Sequence, residues 1–262
     1  MITSKDNQYL KLMKDLQKKK YRSEHGLFCA EGKRLVEGLL VAGLTPHLIL
    51  YSERFQDIAF LEKACSKSDM AFMVADPLMK KICDTQNTQG VIAAFPQLCP
   101  ESKDFYVGAP SLILVASGIQ DPGNLGTIIR SAAAADVKGI FLEDGTVDLY
   151  NPKVIRATMG TVARVPIFGD MSAETIDETL RRCNAQVFMA DMSGDIPYWE
   201  LPMKQPCAVI LGNEGNGPSG YWRGRCRKVY IPQANEVESL NVAMAGGIMA
   251  FDFRRRCLKS NI

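Results

Sequence analysis

Residues 211–220 read LGNEGNGPSG, with four glycines in ten positions. Gly215, Gly217 and Gly220 fall at the spacing G-x-G-x-x-G of the dinucleotide-binding turn, so the fold depends on what these glycines do. In a doubly wound dinucleotide fold they open the first βα turn, because the sheet is built outward from the strand that delivers them. Here 42 residues follow Gly220, too few for the remaining strands and crossovers of even one mononucleotide half. Pro218 also stands where a helix should donate N–H groups to a pyrophosphate. Glu236 and Glu238 lie near the expected acidic position, so spacing alone would have passed the motif, and it is chain position that rejects it. What remains is a strand, AVIL, ending in a glycine-rich loop with one acid, Glu214. Lacking Cβ atoms, such a loop lets backbone groups approach a flat ligand closely, and it serves equally as a tight turn.

Upstream and downstream of this loop the pattern alternates strand and helix. SLILVAS is a buried-strand run, followed by a turn at Asp121-Pro122-Gly123 and the helix NLGTIIRSAAAA. GIFLE, RVPIF, QVFMAD, CAVILG and KVYIP read as further strands, with helices near 153–163, 173–183 and 239–256. This alternation implies a mostly parallel sheet covered on both faces. Two more strand-to-helix turns carry polar side chains. Asn124 is a fair N-cap for its helix, and Arg130, six residues on, sits among small and apolar neighbours. A guanidinium there needs a carboxylate, a phosphate or a subunit interface. In IPQANEVESLNVAMAGGIMAFDF, Ser239 reads as a cap, Asn241 stands in the first turn, and Gly246-Gly247 lets a neighbour pack close.

The first ~95 residues read as a separate α/β unit: a lysine-rich helix with Leu10, Met13 and Leu16 on one face, the run LFCAEG, a helix around 34–41, the strand HLILY, a helix around 55–65, and strands AFMV and VIAAF. Residues 96–110, with three prolines and no periodicity, read as a linker. Net charge is only +2, but residues 1–22 hold seven basic side chains against Asp6 and Asp15. Two further clusters are Arg223, Arg225, Arg227 with Lys228, and Arg254–Arg256 with Lys259. Such clusters attract polyanions by counterion release, although any one of them also suits plain solvated surface. No run approaches the ~20 apolar residues of a membrane span, and the charged N-terminus lacks a secretory pattern. Eight cysteines contain no C-x-x-C, and His25 and His47 are the only histidines. Free thiols in a reducing cytoplasm are therefore expected, with no metal site.

Taken together, DPGNLGTIIRSA, LGNEGNG and IPQANEVESLNVAMA resemble, in order and spacing, the three motifs of the SPOUT class of RNA methyltransferases, in particular its SpoU (TrmH-type) ribose 2'-O-methyltransferase branch. NPKVIRATMGTVARVPI is similar to that family's pattern before its middle strand, and the likeness covers essentially 111–256. Pro218 stands where the family more often has an apolar residue. Residues 1–95 resemble the ribosomal-protein-like RNA-binding domain that precedes the catalytic domain in many members. The resemblance implies an α/β chain with a small RNA substrate-binding domain over 1–95, a linker over 96–110, and over 111–262 a mostly parallel-sheet methyltransferase domain with a deep trefoil knot, a rare exception to unknotted topology. It further implies S-adenosylmethionine held by Ala190, Asp191, Met192, Leu211, Gly212, Asn213, Gly215, Ile231, Pro232, Ser239 and Leu240, and a homodimer formed through the knotted domains, a role the apolar helix 242–253 suits as well as it suits a buried core.

A ribose 2'-hydroxyl is a poor nucleophile, and methyl transfer from a sulfonium needs in-line attack and no metal. By the resemblance, Asn124, Arg130, Glu214, Ser239 and Asn241 form the catalytic set. The family's arginine at the Arg130 position has been proposed as a base. A guanidinium with a pKa above ~12 gives up its proton poorly, so Arg130 reads better as a cation on the adjacent phosphate. Asn124, Ser239 and Asn241 are positioning groups, each with an alternative role as a cap or loop brace. Lys18, Lys19, Lys20 and Arg22 are expected to grip RNA backbone, which positions without reading sequence. Ribosomal RNA is the favoured substrate; transfer RNA, or a non-catalytic RNA-binding role on the same fold, are the alternatives.

Overall fold

A computed structural model describes residues 1–83, 89–213, 215–234 and 239–260. The chain forms two compact units, one of Met1–Leu98 with Tyr150–Ala163, the other of Cys99–Leu149 with Arg164–Ile262.

The first unit runs α1 (Gln8–Asp15), α2 (Lys19–His25), β1 (Leu27–Glu31), α3 (Lys33–Val41), β2 (Leu48–Ser52), α4 (Ile58–Cys65), β3 (Met70–Val74), α5 (Asp76–Ile82) and β4 (Val91–Pro96). Its sheet has the order β1-β4-β2-β3, with β4 antiparallel to β1 and β2, and β2 parallel to β3. α1 starts where the Asn7 side chain accepts the Tyr9 N–H at 2.9 Å, and it buries Leu10 and Met13 against Leu48, Leu50, Ile92 and Ala94. α2 was not legible in the sequence; it is one short helix closed by Gly26 at φ 63°. Arg22 departs from its expected place beside Lys18–Lys20 on an RNA-gripping surface. It is 4% exposed, and its Nη1 donates to the Leu16 carbonyl at 2.9 Å, so it braces the α1–α2 turn.

The second unit begins with β5 (Leu112–Ser117), α6 (Pro122–Ala134) and β6 (Gly139–Glu143). The chain then contributes α7 (Pro152–Thr158) to the first unit before continuing with β7 (Ile167–Met171), α8 (Ala173–Arg182), β8 (Gln186–Ala190), β9 (Ile196–Pro197), β10 (Cys207–Gly212), β11 (Arg227–Tyr230) and α9 (Val242–Ser260). Seven strands pair in parallel in the order β7-β6-β5-β10-β8-β11-β9. The fold is α/β with a parallel main sheet. β5 is buried at every position and β10 at all but its last, the mark of strands covered on both faces. β7 starts three residues later than RVPIF suggested, because Pro166 has no N–H for the ladder. The stretch read as a linker is not idle. Phe105 is 9% exposed and packs edge-on to Phe141 and Phe168 at 5.1 and 5.2 Å. A Cβ on Gly139 would come within 2.7 Å of its ring.

In the first unit, Tyr150 stacks on Phe28 at 5.0 Å. Its hydroxyl donates to the Leu98 carbonyl and accepts from the Leu98 N–H, both at 2.6 Å. Just after α7, Gly160 at φ 89° lies against α3, where an added Cβ would stand 2.9 Å from the Gly38 Cα.

Candidate functional site

β5 and β10 pair in register through Ser117 and Gly212, so their loops leave the sheet side by side at its carboxyl edge, where ligands of open α/β sheets bind. The two loops are tied together. Asn213 Nδ2 donates to the Gly118 carbonyl at 3.1 Å, and the Ser219 N–H to Ser117 Oγ at 2.9 Å.

The glycines that opened the sequence reading form a tight turn. Asn213 and Gly217 exchange backbone hydrogen bonds at 3.1 and 2.8 Å, Asn213 Oδ1 accepts the Gly215 N–H at 2.8 Å, and Gly217 is at φ 67°. Pro218 folds back on Gly212, where any Cβ would overlap its ring and nitrogen. The proline departure is thus part of the loop path. After Gly220 comes a single 3-10 turn, with no helix to receive a pyrophosphate.

Beside this turn lies a cavity walled by four chain segments. Ala190, Asp191 and Met192 come from the end of β8, and Leu211, Gly212, Asn213, Gly217 and Pro218 from β10 and its turn. Val229, Tyr230, Ile231 and Gln233 follow β11, and Ser239, Leu240, Val242, Ala245 and Met249 lead into α9. Of the residues expected to hold a cofactor, Gly215 and Pro232 are not among those lining the cavity. The sequence reading missed Val242, Ala245 and Met249, although their spacing of three and four residues places them on one helix face.

Two residues give the wall its polar character. Asp191 accepts from the Ser193 N–H and hydroxyl at 2.8 and 2.7 Å and pairs with Lys228 at 3.0 Å. Burial pushes its carboxyl up, but the Ser193 hydrogen bonds and the Lys228 ammonium together outweigh that and hold it below the usual aspartate range. Gln233 Oε1 is buried and has no hydrogen-bond partner among the described residues, while its Nε2 lies 2.7 Å from Met192 Sδ.

At the cavity's edge two helix starts meet, with caps different from those expected. Asp121, not Asn124, caps α6, its carboxylate accepting the Asn124 N–H at 2.8 Å; Pro122 at the first helical position fixes that start. α9 begins at Val242, and Asn241, not Ser239, receives the Ala243 and Met244 N–H groups at 3.0 and 3.2 Å. Asn241 Nδ2 then donates to Asn124 Oδ1 at 2.8 Å, joining residues 117 positions apart. Two positive helix ends therefore face one place, favourable to negative charge.

Arg130 stands on the exposed side of α6 with Gly123, Thr127 and Ala134, and does not line the cavity. Glu214 lies outside the described residues. Gly246 lets α9 pack close to β10, since a Cβ there would meet Leu211 Cδ1 at 2.8 Å, whereas one on Gly247 would make only an ordinary contact with Ser131 Oγ of α6 at 3.6 Å. Met244, Phe251 and Leu258, seven residues apart on the outer face of α9, are 58%, 51% and 53% exposed. All eight cysteines are free. Burial pushes the Cys207 thiol up to about 12 against a smaller opposing pull from Arg256, and the Cys29 thiol is also raised, chiefly by burial; neither is a nucleophile near neutrality. Among the described residues no cluster could hold a metal ion, and no helix is long and apolar enough to cross a membrane.

Comparison with known proteins places this geometry. Residues 111–251 match the model of the SpoU rRNA Methylase family, and residues 7–93 that of the MRM3-like substrate binding domain. The chain is 31% identical to the 23S rRNA (guanosine(2553)-2'-O)-methyltransferase RlmP of Bacillus subtilis, over 97% of this chain and 98% of that one. It is 27% identical to the mitochondrial rRNA methyltransferase 3 of Homo sapiens, over 96% and 73% of the two chains. Among solved structures, the AdoMet-bound rRNA methyltransferase from Sinorhizobium meliloti superposes with a TM-score of 0.87 at 31% identity, over 97% of both chains.

Proposed function

The chain belongs to the SpoU rRNA methylase family, and on that premise we propose that it transfers the methyl group of S-adenosylmethionine to a ribose 2'-hydroxyl of ribosomal RNA. It is an S-adenosylmethionine-dependent RNA methyltransferase. The observation that carries the reading is the cavity at the carboxyl edge of the sheet, walled by the loops after β8, β10 and β11, the last two carrying the second and third motifs, with the first motif joined to the third by the Asn124–Asn241 hydrogen bond.

The cavity suits the methyl donor on its own chemistry. Leu211, Val229, Leu240 and Met249 give it apolar walls, and the orphaned Gln233 Oε1 calls for a donor such as an amino group. Ala190–Met192, Leu211–Asn213, Ile231, Gln233, Ser239 and Leu240 would hold the donor, which supplies a methyl on a sulfonium that leaves as a neutral thioether. The protein must then fix the attacking oxygen and favour its developing negative charge. Asn124 and Asn241 hold the two helix N-termini together beside that place. Arg130, exposed on α6, grips the RNA phosphate and lowers the pKa of the neighbouring hydroxyl. The hydroxyl proton passes to a phosphate oxygen, to water or to Glu214.

The finer parts of the reading belong with it. The first unit is the domain that docks RNA. The methyltransferase segment threads the deep trefoil knot of its family, supported by the insertion of β10 between β5 and β8. Two copies pair through the exposed apolar stripe of α9. Such stripes mark interaction sites, and a partner copy there would bring a second chain's surface toward Arg130. Titration calorimetry separates this reading from the others. S-adenosylmethionine is expected to bind with one site per chain and NAD not at all; binding of NAD alone would overturn the proposal, and binding of neither would leave an RNA-binding protein without the activity.

A further inference from the structure

Outside the methyl-transfer site, the first unit carries a groove between α1 and α5 lined by Lys5, Lys11, Lys14 and Lys81, with Asp6 as the single acid and Leu10, Leu78 and Ile82 at its floor. We propose that this groove is the principal seat for RNA backbone, an inference that rests on the reading of the chain as an RNA-modifying enzyme. On α1, Leu10, Lys11 and Lys14 share a face by their spacing of three and four; on α5, Leu78, Lys81 and Ile82 do the same. Each helix turns apolar groups inward and ammonium groups to the groove's rim. Leu10 and Ile82 are buried, and all four lysines are exposed. None of the four makes an ion pair among the described residues, so the lining carries three more positive than negative charges, which favours a polyanion.

The alternative cationic groove of the same unit differs in this respect. Lys33, Arg34, Arg54, Glu37 and Asp57 line it, but Lys33 is paired with Asp57 and Arg54 approaches Asp76 at 3.7 Å. Its cations are largely compensated within the protein, and a phosphate there would compete with carboxylates. Lys18 and Lys20, at the start of α2 and outside this lining, sit over the Tyr21 ring at 5.9 and 5.7 Å. Lysine ammoniums on an apolar floor, without a stacking platform or a fork of donors, suit phosphate and not base edges. The groove therefore supplies affinity and orientation, and sequence choice lies elsewhere.

The test is binding of a large-subunit rRNA transcript by the full chain across a KCl series. Wild type is compared with the quadruple variant K5Q/K11Q/K14Q/K81Q, the pair K11Q/K14Q, and R34Q/R54Q as control. Each phosphate contact contributes roughly 0.7–0.9 to the slope of log affinity against log salt. The quadruple variant should flatten that slope by about 3 and the pair by about half as much, with affinity at moderate salt falling at least about tenfold. R34Q/R54Q should change the slope by less than about one. Melting temperature and S-adenosylmethionine affinity, read on the same samples, establish that the variants are folded. Wild-type binding with a slope the quadruple variant leaves intact would overturn the groove alone, and a control that flattens the slope as much would move the seat to the other groove. A wild type that binds S-adenosylmethionine but no RNA would overturn the RNA reading itself.

Discussion

At the scale of single residues, the proposed site rests on Arg130, on the Asn124–Asn241 pair and on the missing Cβ of Gly212. Arg130 has no hydrogen bond or ion pair among the described residues, so its guanidinium is available to an external phosphate. If charge is what matters, Arg130→Lys should keep measurable methyl transfer while Arg130→Ala loses at least about a hundredfold in kcat; a lysine variant as dead as alanine would mean that the planar fork is needed. Gly212→Ala places a Cβ into Pro218. It should cost about 1–3 kcal/mol of stability by overpacking and weaken donor binding, both read by thermal melts with and without S-adenosylmethionine. The sequence marked the capping residues without showing which backbone group each one holds. Asp121, Asn124, Ser239 and Asn241 are all capping types, and residue type alone could not rank them. The Asn124–Asn241 bond joins segments more than a hundred residues apart, and no local pattern encodes it. Arg22 looked like one more surface cation because its burial depends on the turn after α1, which the lysine run concealed.

Among the elements, the strands were legible because each central strand is a continuous apolar run. The short helices α2 and α5 were not, since seven residues give too few turns for a period. The loop after β8 is held by Asp191, whose carboxyl lies below its ordinary range. A group with a lowered folded pKa stabilises above its unfolded value of ~3.9, and that contribution is lost as pH falls through the folded value. The melting-temperature gap between wild type and Asp191→Asn should thus be present at neutral pH and close in acid below about pH 4; a gap independent of pH would mean that Asp191 acts through packing alone. α9 is exposed along Met244, Phe251 and Leu258. On the proposed pairing of two copies through this stripe, wild type should scatter light as a dimer and Phe251→Asp as a monomer with its helix content intact, whereas equal masses for the two would contradict the pairing through α9.

For the whole molecule, the chain order conceals how the units are built. Residues 150–163 follow β6 in sequence but belong to the compact unit of residues 1–98. Tyr150, Val154 and Ile155 are at most 7% exposed there. A fragment of residues 111–262 alone should therefore expose this apolar segment and show raised dye binding or aggregation, compared with the full chain. The glycine loop could be read against the dinucleotide fold from its position alone, and the order of three motifs pointed to the family. What the sequence could not show was the in-register pairing of β5 with β10 that sets two motif loops side by side.

The central claim is ribose methylation, and alkali tests it most directly. Purified protein is incubated with S-adenosylmethionine labelled in its methyl group and with ribosomal RNA from cells lacking this gene. The RNA is then hydrolysed in alkali. A methylated 2'-oxygen cannot attack its own phosphodiester, so the label is expected in alkali-resistant dinucleotides. Label recovered in mononucleotides would mean a methylated base and would contradict the account.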